Sequence, residues 1–281
     1  MDLYVFLAVL VAAACHAGWN TLLKLDLEPL TATVLMVCAS GALALPIAVY
    51  LGLPGSASWP YLAASVAIHV GYFLSLASAY KVGDMGQVYP IARGAAPLMT
   101  AVLATVFLNE SPGAYGWAGI ALLACGILLL AVRGGRASKT FDARSVGFSL
   151  LTSLTITVYT IVDGSGARAS GEPVAYTLWL FVLSAIIVGS YGYVRIGPPL
   201  FAAVRTHWPI TAMGSALSVA AYVIAIWAMT VAPIALVAAL RETSVLFGAL
   251  FATLILREPW IAARIVSAVM VLIGALLLRM R

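Results

Sequence analysis

Charged residues are scarce in this chain. Lys, Arg, Asp and Glu make up 9% of the 281 residues, whereas 63% are hydrophobic. A soluble domain carries about 25% charged residues, because charge keeps its surface in water. The chain has too few charges to cover such a surface, so we expect the protein to be surrounded by a lipid bilayer instead of water.

The sequence also lacks the motifs of enzymes, metal sites and ATP-driven pumps. Neither His-Glu-x-x-His nor Gly-x-Ser-x-Gly occurs, and the stretch 134–140 lacks the glycine before the lysine of a phosphate loop. Cys15, Cys38 and Cys125 have no metal-ligand spacing and are interpreted as small buried hydrophobes. We therefore expect no enzyme activity, no metal and no cofactor. The net charge of +5 is ascribed to loops beside the cytoplasmic leaflet, not to nucleic-acid binding.

Long apolar runs dominate what is present. Ten of them are long enough to cross a hydrocarbon core of about 30 Å as helices. They span residues 3–23, 30–51, 61–80, 88–108, 115–132, 146–164, 174–194, 208–229, 234–256 and 261–278. Strand-like alternation is absent, so the predicted fold class is an all-α integral membrane protein with ten transmembrane helices.

The two halves of the chain resemble each other. A shift of 148 positions places Arg93 on Arg241 and Glu110 on Glu258, and such residues are scarce enough for the matches to count. The predicted domains are a first five-helix repeat (1–135), a connecting loop (136–144) and a second five-helix repeat (145–281). Because five is odd, equivalent helices must cross the membrane in opposite directions, as in inverted-repeat transporters with a central cavity.

Several motifs resemble a known superfamily. They are the stretches 89–98 with 107–110, their second copies 240–244 with 256–259, and His16-Ala17-Gly18-Trp19-Asn20 in the first segment. Together with length and ten segments, they resemble the drug/metabolite transporter superfamily, EamA type. The overall pattern is similar to bacterial amino-acid exporters, including the aromatic amino-acid exporter. Val245 stands where the first copy has Pro97, so any kink or gate that this proline carries is not expected in the second copy.

Ionisable residues inside the apolar segments are the first candidates for substrate binding, because charge within a membrane is costly. Arg93 and Arg241 could each hold a carboxylate, and Glu242 and Asp163 could hold an ammonium group. Arg241 and Glu242 are adjacent on a helix and so need separate partners. Having no adjacent carboxylate, Arg93 is expected to be freer to meet a ligand than Arg241. The alternatives are snorkelling or neutralised arginines and an Asp163 that ends its helix at the surface.

Polar and aromatic side chains form stripes on segments 1, 3, 6 and 8, which we predict to be the walls of the cavity. The candidate substrate-binding residues besides the charged ones are His16, Trp19, Asn20, His69, Tyr72, Tyr89, Tyr159 and Tyr222. Such walls suit a zwitterion with an apolar side chain. For a given tyrosine or histidine, an interfacial position or a structural hydrogen bond is the competing interpretation.

These features favour a multi-pass transporter of the cell inner membrane over an enzyme. The resemblance implies a secondary transporter that exports amino acids, aromatic and other neutral ones first, by alternating access. A drug or cation extruder, another small-metabolite transporter, and an integral-membrane enzyme or lipid-handling protein are kept as alternatives. Segments 5 and 10 have plain apolar faces that could pack outside the cavity or form a homodimer.

The distribution of basic residues predicts the orientation. On the side of the two termini they are Arg168, Arg279 and Arg281. On the opposite side they are Lys24, Lys81, Arg133, Arg136, Lys139, Arg144, Arg195, Arg205, Arg257 and Arg264. The positive-inside rule then places the connecting loop in the cytoplasm and both termini outside, although the resemblance implies cytoplasmic termini.

Overall fold

The computed structural model describes residues 1–22, 29–82, 85–134, 143–254 and 262–280, and within these ranges the regular structure is entirely helical. The helices are α1 (Leu3–Leu22), α2 (Pro29–Leu51), α3 (Trp59–Val82), α4 (Met85–Leu108), α5 (Gly113–Gly134), α6 (Ala143–Ser170), α7 (Pro173–Ile196), α8 (Pro199–Val231), α9 (Ile234–Arg241), α10 (Ser244–Leu254) and α11 (Ala262–Arg279). The predicted all-α membrane fold with ten transmembrane segments is confirmed, with α9 and α10 together forming the ninth. The predicted domain boundary falls largely in 135–142, outside the described residues.

The ninth segment is broken beside its charged residues. The amides of Glu242 and Thr243 donate to the carbonyls of Ala239 and Leu240, three residues back. The same spacing continues at Val245, whose amide donates to Glu242. A tight turn of this type inside a helix is typical of a hinge. The second copy is thus interrupted without the proline of the first copy, whereas α4, which includes Pro90 and Pro97, is one helix.

Two helices are longer than predicted. α6 continues to Ser170 and α8 begins at Pro199, whereas the apolar patterns indicated 146–164 and 208–229. α8 has 33 residues, so at 1.5 Å per residue it is about 50 Å long and exceeds the hydrocarbon thickness. Hydropathy indicates only the part of a helix that lies in lipid. The apolar pattern therefore did not include the more polar ends of α6 and α8.

Seven described segments are long and apolar enough to cross a membrane, and Gly113–Leu129 and Ile265–Arg279 are shorter apolar helices. Cys125 is exposed on α5, and Cys15 and Cys38 are half-buried, so the expectation that all three cysteines are buried was wrong. Because an apolar helix face is stable in lipid, exposure to the bilayer replaces burial in a core.

One pair of equivalent helices, α5 and α11, packs antiparallel. On α5 and α11, Gly119 lies beside Gly274, and the Ser267 hydroxyl donates to the Gly126 carbonyl oxygen at 2.6 Å. The shift of 148 maps Gly119 onto Ser267 and Gly126 onto Gly274, so the two contacts are related by the repeat. α5 and α11 thus pack against each other within the chain, which is the inverted arrangement expected of such repeats.

One end of the bundle carries both chain termini and is called the terminal face. There the Met1 amine donates to the Arg279 carbonyl, and the Gly55 amide donates to the Ser170 carbonyl at 3.2 Å. These contacts join the first repeat to the second at this face.

Candidate functional site

A small cavity near the middle of the bundle contains charges of both signs. It is lined by α4, α6, α9 and Glu242, through Arg93, Ala96, Pro97, Thr100, Ile156, Tyr159, Thr160, Ala238, Arg241 and Glu242. Of helices 1, 3, 6 and 8, which were predicted to form the cavity walls, helix 6 lines this cavity. Side chains of helices 1, 3 and 8 contact its lining residues, as described below.

Close packing of small residues brings α4 and α6 together. The Ser153 hydroxyl donates to the Ala92 carbonyl at 2.7 Å, and the Thr157 hydroxyl donates to the Ala96 carbonyl at 3.2 Å. Alanines allow this approach because they have no side chain beyond Cβ. The result is a rigid wall from which Arg93 projects.

Arg93 and Glu242 form a buried ion pair across the two repeats. Arg93 Nε lies 2.9 Å from Glu242 Oε2, and the side chains are only 9% and 6% exposed. Arg93 therefore does not snorkel. The expectation that Arg93 is the freer arginine was wrong. Glu242 follows Arg241 in the sequence, but its carboxylate contacts Arg93 on α4.

Arg241 is half-buried and lies against an aromatic ring. Its guanidinium carbon is 5.3 Å from the ring centroid of Tyr222 on α8, a cation–π contact. The separate partners expected for Arg241 and Glu242 are confirmed.

Asp163 lies inside α6 and is fully buried, so the alternative that it ends its helix at the surface was wrong. Its two oxygens accept hydrogen bonds from Tyr222 at 2.5 Å and Tyr176 at 3.2 Å. Tyr222 thus connects Asp163 to Arg241. Tyr176 was not predicted, because an uncharged tyrosine on an apolar helix gives no indication of a buried acceptor 13 residues away on the neighbouring helix.

Three of the predicted rings form one aromatic group between α3 and α6. His69 stacks on Tyr159 with centroids 4.5 Å apart, and Tyr72 meets Tyr159 edge-on at 5.9 Å. His69 is held by its own helix, since Nδ1 lies 2.9 Å from the Ser65 carbonyl oxygen. Tyr159 faces the cavity, and the other two rings support it from behind.

The candidate residues of α1 gather around Arg93. His16 Nε2 lies 3.4 Å from Arg93 Nη2, and the indole of Trp19 donates to His16 Nδ1 at 3.3 Å. The Asn20 amide donates to the carbonyl of His16 at 2.8 Å, so this group stabilises its own helix. The side chain of Tyr89 lies outside the described part of the chain.

A second charged cluster on the terminal face, which we call the terminal clasp, consists of Glu110 and Arg168. Glu110 Oε1 pairs with Arg168, and its Oε2 accepts the Ile234 amide at 3.0 Å. Arg168 also donates to the carbonyls of Met229 at 2.8 Å and Ala232 at 3.1 Å. Glu110 was noted in the sequence because the internal repeat aligns it with Glu258. Nothing in the sequence indicated Arg168 as its partner.

The clasp places opposite charges at opposite helix ends. The carboxylate meets the N-terminus of α9 and the guanidinium meets the C-terminus of α8, which are the electrostatically favourable positions. Asn109, with φ of 55°, ends α4 and turns the chain towards Glu110. The clasp therefore ties α4 of the first repeat to α6, α8 and α9 of the second.

Chemically, the centre combines two guanidinium groups, two carboxylates and aromatic surface. When all four are ionised, Arg93 and Arg241 balance Glu242 and Asp163, so a ligand without net charge would keep the centre neutral. Among the described residues, no group of three His, Cys, Asp or Glu side chains is placed to hold a metal ion.

Comparison with known proteins gives a consistent result. Residues 2–132 match the model of the EamA-like transporter family. A Sinorhizobium sp protein described as an uncharacterized transporter in the cobO 3' region is 31% identical over 110 residues, which are 38% of this chain and 77% of that protein. A solved crystal structure of a protein superposes with a TM-score of 0.80 at 16% identity, over 99% of this chain and 96% of the other, and shows the fold. The chain is therefore a membrane transporter that belongs to the EamA-like transporter family.

Proposed function

We propose that the protein is a secondary transporter of the inner membrane that exports amino acids, aromatic and other neutral ones, by alternating access. The observation that carries this proposal is the central cavity, where guanidinium and carboxylate groups lie beside an aromatic wall. A neutral amino acid has the same three features: a carboxylate, an ammonium group and an apolar side chain.

The arrangement of charges supports a zwitterion. A carboxylate suits the guanidinium groups of Arg93 and Arg241, and an ammonium group suits Glu242 or Asp163. Tyr159 and Ile156 offer apolar surface to the side chain of the substrate. Each charge of the substrate then has a partner, which is required because an unpaired buried charge is strongly unfavourable.

The packing supports alternating access. The cavity has room for roughly one water molecule, so helices must separate before a substrate can enter. On the terminal face the clasp holds α4, α6, α8 and α9 together, and the broken ninth segment supplies a hinge beside the charges. We infer that opening of the clasp opens the terminal face.

Counterflow in proteoliposomes containing only this protein tests the function. Vesicles loaded with unlabelled phenylalanine, leucine or another neutral amino acid should accumulate the labelled form from outside. Protein-free vesicles and vesicles with Tyr222→Ala, which removes the contact with both Arg241 and Asp163, serve as controls. Absence of counterflow for every amino acid in the panel, with folded protein present, would refute the proposal.

Export of organic cations is the second candidate, and the buried carboxylates of Asp163 and Glu242 favour it. A cation extruder needs an anionic site and no guanidinium. Phenethylamine, which is phenylalanine without its carboxylate, separates the two. Counterflow of phenethylamine without counterflow of phenylalanine would favour the cation extruder.

A further inference from the structure

Asp163 is a buried carboxylate whose hydrogen-bond partners are neutral hydroxyls. Its oxygens accept from Tyr222 at 2.5 Å and Tyr176 at 3.2 Å. Glu110 and Glu242 each pair with an arginine, whereas no basic nitrogen of the described ranges lies within ion-pair distance of Asp163. An ionised carboxylate inside a membrane is costly without a cation beside it. Asp163 is therefore the described carboxylate of the centre that is suited to taking its cation from outside the protein.

The position of Asp163 continues the face of α6 that lines the cavity. Ile156, Tyr159 and Thr160 line the cavity. Asp163 follows Thr160 by three residues and Tyr159 by four, and such spacings place side chains on one helix face. It precedes Ser170, the last residue of α6, by seven residues, or about 10 Å of helix. Asp163 thus lies between the cavity and the terminal face.

Tyr222 connects this carboxylate to a cation of the cavity. Its hydroxyl donates to Asp163, and its ring centroid lies 5.3 Å from the guanidinium carbon of Arg241, which lines the cavity. A negative and a positive group therefore lie on either side of one tyrosine. An amino acid has its carboxylate and its ammonium group on the same carbon atom, so it can bind Arg241 with the first and approach Asp163 with the second.

Few other titratable groups surround Asp163. The side chains that face it from neighbouring helices are Ser65 and His69 on α3, Tyr176 on α7 and Tyr222 on α8. The charged groups that α4 and the ninth segment place around the cavity are Arg93, Arg241 and Glu242, and Arg168 on α6 itself belongs to the clasp. Of the side chains that face Asp163 from neighbouring helices, His69 is the one that normally ionises near neutral pH, so it must be tested as the alternative.

A proton has a short polar route from the terminal face to Asp163. Tyr176 donates to Asp163, and its hydroxyl oxygen would lie 2.5 Å from a Cβ at Gly166. The same Cβ would lie 2.6 Å from the Cβ of Tyr61, so the two tyrosines meet at this glycine. Tyr61 belongs to the first turn of α3 and is exposed. The hydroxyl of Tyr176 therefore lies between Asp163 and an exposed ring.

We propose that Asp163 is the coupling site of the transporter, where a proton and the ammonium group of the substrate bind in alternation. This inference rests on the proposed function and adds the ion that drives it. The protonated carboxyl group releases its proton to water when the ammonium group binds, and it takes up a proton again after the substrate has left. Because one carboxylate holds one of the two cations at a time, the export of an amino acid is exchanged for the entry of a proton.

Proton release on substrate binding tests this proposal directly. Phenylalanine is added to purified full-length protein in weakly buffered, sodium-free detergent solution between about pH 5 and pH 8. Within that range we expect release of up to about one proton per bound phenylalanine, and an apparent affinity that rises with pH by up to about tenfold per unit. Asp163→Asn should release no proton, and its affinity, whatever its value, should not change with pH. Glu172→Gln, on the exposed terminal face, is the matched control and should keep the wild-type pH dependence.

Two analogues of phenylalanine identify the group that displaces the proton. Phenethylamine keeps the ammonium group and should release a proton from the wild type. 3-Phenylpropionate keeps the carboxylate and lacks the ammonium group, so it should release none. Equal proton release by both analogues would overturn the exchange at Asp163.

Infrared difference spectra of the wild type give a readout that does not depend on any variant. Addition of phenylalanine should remove the carbonyl band of a protonated carboxylic acid. This band should shift in protein made with isotope-labelled aspartate, which separates Asp163 from Glu242. A band that shifts only with labelled glutamate would assign the proton to another residue and overturn the proposal, and this test stands even if Asp163→Asn fails to fold.

Three further results would contradict the proposal. They are a phenylalanine affinity of the wild type that depends on sodium and not on pH, proton release that persists in Asp163→Asn, and proton release that is lost in His69→Gln but not in Asp163→Asn. Phenylalanine counterflow without proton release would defeat this inference alone. Absence of counterflow for every neutral amino acid is the separate result that defeats the proposed function.

Discussion

Arg93 and Arg241 occupy equivalent places in the two repeats, yet their surroundings differ. Arg93 lies against a carboxylate at 2.9 Å, whereas Arg241 lies over an aromatic ring. The difference follows from Glu242, because the first copy has Gly94 at the equivalent place. Of the two equivalent arginines, Arg93 is therefore buried and Arg241 is half-buried.

Substitution of each arginine should therefore have a different main effect. Arg93→Gln leaves the buried carboxylate of Glu242 without its guanidinium, and we expect a loss of about 3–5 kcal/mol of stability. Arg241→Gln should unfold close to the wild-type temperature but lower the rate of amino-acid counterflow. Thermal unfolding in detergent and counterflow are measured on both variants.

The double variant Arg93→Gln with Glu242→Gln is the control. It replaces both charges by neutral groups, so it should recover part of the stability that Arg93→Gln loses. If Arg241→Gln proves to be the less stable single variant, the assignment of the ion pair is wrong.

The hydroxyl of Tyr222 can be removed without changing the rest of the side chain, which tests its hydrogen bond to Asp163. Tyr222→Phe keeps the ring under Arg241 and removes the donor to Asp163, which has no exposed surface. Leaving a buried acceptor with one donor fewer costs about 1–3 kcal/mol. Thermal unfolding should detect this loss, whereas Tyr50→Phe on the exposed surface of α2 should be neutral; equal stability of the two variants would contradict the described hydrogen bond.

At the scale of elements, helix ends and helix contacts determine which parts can move. The terminal clasp joins the ends of α4, α6, α8 and α9, while the turn at Glu242–Thr243 divides the ninth segment. α5 and α11 instead pack backbone to backbone through glycine. The first set is suited to opening and closing, and the second to holding the repeats together.

Removal of the clasp should favour opening of the terminal face. Arg168→Gln loses the pairing with Glu110 and the guanidinium contacts with the Met229 and Ala232 carbonyls. We expect a cysteine placed at Ser170, which is buried, to react several-fold faster with a water-soluble maleimide in this variant. The same cysteine in a protein with Arg195→Gln, at the far end of α7, is the control. An unchanged rate would show that the clasp does not limit access at this face.

The glycine contact between α5 and α11 makes a prediction about packing. In Gly274→Ala the new Cβ would lie 2.8 Å from the Gly119 carbonyl oxygen and 3.1 Å from the Leu123 amide nitrogen. Because these are backbone atoms that cannot rotate away, we expect a loss of about 1–3 kcal/mol. Gly248→Ala, whose Cβ would meet nothing within 4 Å, should keep or slightly raise the unfolding temperature. Similar behaviour of the two variants would contradict the close helix contact.

At the scale of the whole molecule, the orientation in the membrane is a prediction from charge. The sequence assigns ten basic residues to the side opposite the termini and three to the side of the termini, and this distribution predicts a cytoplasmic connecting loop. Single cysteines at Ser138 and after Arg281, in a protein with Cys15, Cys38 and Cys125 replaced, are labelled in intact cells with an impermeant reagent. We expect labelling after Arg281 only, and labelling at position 138 would reverse the orientation.

The sequence by itself determined the class of protein, the number of membrane segments and their antiparallel repeat. These follow from local composition and from an odd number of helices per repeat, and neither depends on which helices touch. The charged candidates were also visible in the sequence, because Arg93, Arg241, Glu242 and Asp163 are rare residues in an apolar background. Whether each is buried, and which partner it has, is not a local property.

Those pairings were decided only by the tertiary structure. Glu242 contacts Arg93 and not its sequence neighbour, because consecutive helical side chains point in different directions and α4 lies across from α9. Tyr176 reaches Asp163, and Arg168 reaches Glu110, through helix packing that no spacing along the chain encodes. The break after Arg241 likewise occurs without a proline, where hydrogen bonds to the third preceding residue replace the helical pattern. The physical reason is that a carboxylate or a hydroxyl inside lipid must find its partner in space, and distance along the chain does not determine which one it finds.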